Sequence, residues 1–165
     1  MSDFSGFGVY TLDRGRLHIP KGIEECVSWL TFEAPIECLA VPIPGSLGGM
    51  AVFPPAVLVE HRQLLAGWAK KDLRPEDLTA PAHELARTAM VTWEISIGTD
   101  RRFTLPPGAC GLGLLPTAAN GKVALVAVRD LLEVWNPSDL RNRVHEGAER
   151  WGELKAQGLP GLLAP

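Results

Sequence analysis

Basic side chains gather in two places along this 165-residue chain: Arg14, Arg16, His18 and Lys21 within eight residues, and Arg101 with Arg102 further on. Cations neutralise phosphates, and the planar guanidinium fork matches the two acceptors of a guanine edge, so these clusters carry the chemistry of nucleic-acid recognition. The same charges would equally serve as solvated strand ends balanced by neighbouring acids. Arg16 and Arg102 lead the candidate set, with Arg14 and Arg101 next. Other reactive groupings are weaker. His18, His61, His83 and His145 are scattered, with no His-Glu-x-x-His or Cys/His metal spacing. Cys26 follows Glu24 and Glu25, a setting that disfavours a thiolate. Gly45-Ser46-Leu47-Gly48-Gly49 lacks the Lys-Ser/Thr of a phosphate loop, and no Gly-x-Ser-x-Gly elbow occurs. A non-enzyme without metal or cofactor is expected.

Composition limits what the clusters can do. The 16 Lys+Arg against 19 Asp+Glu give a formal charge of −3, which excludes a protein that coats nucleic acid by bulk attraction. Any such binding must find its cations locally. With 46% apolar and 21% charged residues the chain is globular rather than disordered. Three cysteines, Cys26, Cys38 and Cys110, cannot all pair within the chain, which favours a reducing, cytoplasmic setting. No leader pattern opens the sequence, and no apolar run reaches the ~20 residues that cross a bilayer, so no membrane partner is expected. Gly 17 and Pro 14 point to many turns and short elements.

The elements that must position the arginines come in two copies. Arg14-Gly15-Arg16-Leu17-His18-Ile19-Pro20 and Asp100-Arg101-Arg102-Phe103-Thr104-Leu105-Pro106 share a basic, apolar, polar, apolar, Pro pattern, offset by 102 minus 16, or 86 residues. Ala51-Val52-Phe53-Pro54 and Glu133-Val134-Trp135-Asn136-Pro137 repeat a β-type run ending in an aromatic and a proline, offset by 135 minus 53, or 82. Each copy reads as a long strand (9–19 and 91–105) broken by a turn, then a hairpin (38–43 with 50–53; 122–128 with 131–135 around Arg129-Asp130), then a helix. A short helix is expected over 21–30, whereas 107–116 is interrupted by Gly and Pro and is not expected to be helical. Asn136, Pro137 and Asp139 start the last helix, whose Leu140, Val144, Ala148, Trp151 and Leu154 make one apolar stripe. Trp135 is expected in the core, and Trp68 and Trp151 at an interface or in the core. The division is 1–69 for the first repeat, 70–90 for a linker and bridging helix (about 81–90), 91–157 for the second repeat, and 158–165 for a frayed tail.

Phe4-Ser5-Gly6 leading into Leu12-Asp13-Arg14-Gly15-Arg16-Leu17-His18-Ile19-Pro20 resembles the opening of MraZ proteins, whose halves each carry an Asp-containing, Gly-Arg-apolar-x-Ile-Pro strand. The resemblance spans roughly Phe4 to Leu154. It implies an α+β, β-rich fold of two fused AbrB-like swapped-hairpin half-units forming a pseudo-twofold β-barrel, with flanking helices. It further implies a homo-oligomer, double-stranded DNA as partner, nucleoid association, and repressor-type regulation through short repeated promoter boxes. Arg14, Arg16, His18, Lys21, Arg101 and Arg102 are then the DNA-binding set. The chain departs from the pattern in four places: Asp13 and Arg16 are separated by two residues rather than three, Gly98 stands at the second Asp position, Arg101 replaces a glycine, and the uncharged Gly108-Ala109-Cys110-Gly111 stretch stands where the family has a polar short helix. A related scaffold that has lost DNA binding and serves as an interaction or assembly module is the competing expectation.

Overall fold

The computed structural model describes residues 6–43, 48–71 and 92–156, without the side chains of 68–71, 150–151 and 154–155. The expected bridging helix, most of the linker, the tail, the 44–47 loop and the Trp68 and Trp151 side chains lie outside the described residues. The elements are β1 (Phe7–Thr11), β2 (Arg16–His18), a 3-10 turn (Ile23–Glu25), β3 (Ile36–Pro42), β4 (Gly49–Phe53) and α1 (Pro55–Lys71). After these come β5 (Trp93–Ile97), β6 (Arg102–Thr104), α2 (Pro107–Gly111), β7 (Lys122–Val128), β8 (Leu131–Trp135) and α3 (Pro137–Ala156). The fold is α+β and strand-rich, with a six-stranded antiparallel sheet in the order β1-β7-β8-β4-β3-β5 and a separate ribbon of β2 with β6. Pairing among the described residues leaves β1 and β5 as edges and closes no barrel.

The strand order reads the same from both ends once the copies are exchanged. The first strand of each copy adds to the hairpin of the other: β1 to β7, and β5 to β3. Tyr10 faces Val123 as Ile95 faces Cys38. On the pseudo-axis Leu17 faces Phe103, an offset of 103 minus 17, or 86, and Ala51 faces Glu133, an offset of 133 minus 51, or 82. Both offsets equal those of the sequence repeat, so the repeated motifs are the strands that meet their own counterparts.

A single core lies between the sheet and a second layer made of the ribbon, the 3-10 turn and the α2 segment. Alternation decides which side chains enter it: on β3, Ile36, Cys38 and Ala40 point in, and Glu37 points out. Leu17, Ile19, Ile23, Val27, Leu30, Phe103 and Leu105 supply the opposite wall. Burying each Leu, Ile, Val or Phe contributes about 1.5–3 kcal/mol. Because both copies line this core, neither half has one of its own. Cys38 is fully buried, and burial pushes its thiol pKa up to about 12.

Two sequence expectations need correction. The 21–30 helix shrinks to one 3-10 turn, because Ser28 and Trp29 are claimed by a distant element: the Ser28 N–H and Oγ donate to the Asp130 carboxylate at 2.5 and 2.8 Å, and Trp29 Nε1 donates to its carbonyl at 2.8 Å. Residues 107–111 are helical despite their glycines. Pro107 sits in the first turn, where its missing N–H costs nothing, and Ala109 anchors the turn in the core. The 122–128/131–135 hairpin forms as expected, with positive φ at both Arg129 (49°) and Asp130 (66°), the signature of a type I′ turn.

Candidate nucleic-acid interface

The short ribbon assembles the candidate residues. Leu17 and Phe103 point into the core, so the alternate positions Arg16, His18, Arg102 and Thr104 share the outer face. Arg16 pairs with Thr104 and His18 with Arg102, which sets basic side chains from both copies side by side. His18 and Arg102 are exposed and Arg16 is half-exposed. The ribbon extends beyond its formal ends through Ile19 N–H to the Arg101 carbonyl (2.7 Å) and Leu105 N–H to the Gly15 carbonyl (3.2 Å). Among the described residues, no ion pair or hydrogen bond engages the side chains of Arg14, Arg16, His18, Lys21 or Arg102.

The loops feeding the ribbon differ, as the spacing of their motifs requires. Asp13 and Arg16 exchange both backbone hydrogen bonds at 2.9 Å around a two-residue turn in which Arg14 (φ 52°) and Gly15 (φ 77°) are left-handed. The second loop has one more residue. There Gly98 N–H donates to the Arg102 carbonyl and Arg101 N–H to the Gly98 carbonyl, both at 2.9 Å, and only Arg101 (φ 67°) takes the left-handed position. Arg101 therefore occupies the conformation that glycine adopts without steric cost.

Arg101 departs from the rest of its set. Its Nε donates to the Ile19 carbonyl at 3.0 Å and Nη2 to the Pro20 carbonyl at 2.6 Å, while Nη1 pairs with the Glu24 carboxylate. The guanidinium also lies 4.1 Å from the centroid of the Phe32 ring. Its side chain is 17% exposed. The Arg101 hydrogen bond holds the Glu24 carboxyl below its ordinary pKa. Three of the five guanidinium N–H donors are thus directed at groups of the protein itself.

Away from the ribbon, α1 covers the outer face of β3 and β5. Leu58 is buried there, and Arg62 makes a bidentate contact with Glu94 (2.9 and 3.0 Å) while approaching Glu37 at 3.5 Å. A groove of about 580 Å³ beside it is lined by Trp29, Pro35, Leu58 and Arg62 among others. None of the basic set lines it. Sequence reasoning missed Arg62, Glu94 and Asp130; only a four-residue-periodic helix facing a strand could have hinted at the first. No group of three or more His, Cys, Asp or Glu among the described residues could hold a metal ion, and no helix among them is long and apolar enough to cross a membrane. Neither protein-family models nor curated proteins yield a match to this chain.

Proposed function

We propose that this protein is a MraZ-like, DNA-binding transcriptional regulator of repressor type, built from two fused swapped-hairpin half-units and acting on short repeated promoter boxes. The observation that carries the reading is the outward face of the ribbon, where Arg16, His18 and Arg102 stand together without an acidic partner among the described residues. A two-stranded ribbon fits the major groove, and strands about 4.8 Å apart leave room for both within its ~12 Å width. Arg16 and Arg102 read bases; Arg14 and Lys21, exposed near the ends, neutralise phosphates. With the overall charge at −3, each subunit binds weakly, and a homo-oligomer supplies the avidity. The assembly-module alternative draws on a different observation, the exposed apolar residues Val144 on α3 and Phe7 and Val9 on β1.

Fluorescence anisotropy with duplex DNA from upstream of the coding sequence separates the two. The regulator predicts sequence-selective binding that falls steeply with salt. Arg16→Ala and Arg102→Ala should each cost about 1–3 kcal/mol of discrimination, roughly 5- to 150-fold. Absent or salt-insensitive binding by the wild type would sink the reading.

A further inference from the structure

We infer that Arg101 is a positioning residue for the basic ribbon: it ties the start of β6 to the chain leaving β2, and thereby holds Arg102 and His18 side by side for a ligand it does not itself touch. The inference rests on the DNA-binding reading for the identity of that ligand, and on geometry alone for the tie.

The tie closes from both directions. Ile19 donates its N–H to the Arg101 carbonyl at 2.7 Å, and its own carbonyl accepts from Arg101 Nε at 3.0 Å. The next carbonyl, of Pro20, accepts from Nη2 at 2.6 Å. Glu24 extends the clasp, since one carboxylate oxygen pairs with Nη1 and the other accepts the Gly22 N–H at 2.9 Å. A planar fork spanning two consecutive carbonyls and a carboxylate fixes direction as well as distance, which an ammonium cannot do. At the pseudo-equivalent position stands Gly15, which has no side chain to make such a tie; its neighbourhood is joined by backbone alone, with Leu105 N–H reaching the Gly15 carbonyl at 3.2 Å and Gly15 N–H the Ala119 carbonyl at 2.9 Å. The two ends of the ribbon are thus unequal. The His18–Arg102 end is clamped by a side chain, and the Arg16–Thr104 end is not.

The test compares Arg101→Ala, Arg101→Lys and Glu24→Gln with Lys21→Ala, by hydrogen exchange and by anisotropy on the same upstream duplex across a salt series. The clamp predicts that Arg101→Ala speeds amide exchange about tenfold or more at 102–104 and 16–18, leaving β7 and β8 unchanged. DNA affinity should fall roughly tenfold with the log–log salt slope intact, because Arg101 neutralises no phosphate, whereas Lys21→Ala, which removes a phosphate contact, flattens the slope by about 0.9. Lysine should fail to rescue, and Glu24→Gln should weaken binding in the same way while perturbing the fold least. Unchanged ribbon exchange in both Arg101→Ala and Glu24→Gln overturns the clamp. So does a flattened slope rescued by lysine, or tighter binding by Glu24→Gln, either of which makes Arg101 a phosphate contact. If the wild type binds no duplex, the regulator reading fails, while the exchange experiment still decides the clamp.

Discussion

Position 101 sets two residue-scale costs against each other. A side chain in the left-handed region costs about 1–2 kcal/mol, which glycine would avoid. Hydrogen bonds to a charged group are worth about 1.5–3 kcal/mol each, and Arg101 makes several, one of them to Glu24. The bonds outweigh the strain, so Arg101→Gly should lower the melting temperature even though it relieves the backbone. The difference should depend on pH. Glu24's carboxyl lies below its ordinary pKa in the folded protein, so its contribution is complete above the unfolded value and is lost as pH falls through the folded one. Thermal melts from pH 7 to pH 3 should show the gap between wild type and Arg101→Gly narrowing at the acid end; a gap constant across that range would contradict the pairing. None of this was legible in the sequence. A cluster of charge is visible along the chain, but the carbonyl that captures Arg101 belongs to Ile19, 82 residues away.

Elements were legible where local chemistry is self-sufficient. The β7–β8 hairpin follows from apolar runs flanking a two-residue turn, and α3 starts as its Asn136-Pro137 sequence requires, with Asn136 Oδ1 accepting from Ser138 N–H at 3.3 Å. Reading failed where a distant element intervened, as at Ser28 and Trp29, which leave the helical pattern to meet Asp130. That contact makes the β7–β8 turn a docking device between copies rather than a mere connection. Asp130→Gly isolates its value, since glycine tolerates the 66° φ and keeps the carbonyl that Trp29 uses, while the two bonds from Ser28 disappear. Urea denaturation should show a loss of about 1–3 kcal/mol with an unchanged slope. A loss below about 0.5 kcal/mol would mean that water replaces the carboxylate at no cost.

At the scale of the molecule, the symmetry of the sheet is broken by its helices. One outer face, on β3 and β5, is packed by α1 through Leu58 and Arg62; the equivalent face, on β7 and β1, leaves Phe7, Val9 and Val128 exposed at 55%, 48% and 38%. Helix α3 reaches β7 without covering these residues. Val144 is 64% exposed, and Ala148 one turn further on is exposed as well. Apolar side chains left in water on two neighbouring elements give up burial worth about 25 cal/mol per Å², which association of copies would recover. The proposed avidity depends on the same surface, so assembly and DNA affinity should fail together. Sedimentation velocity at micromolar concentration should give a particle several times the 17.8 kDa chain, and Val144→Glu, with its circular dichroism unchanged, should shift it toward the monomer. That variant keeps every residue of the ribbon, so a fall in apparent DNA affinity of tenfold or more would be the signature of lost multivalency. A wild-type monomer that binds its duplex tightly would separate the two properties and leave the exposed face without a role in binding.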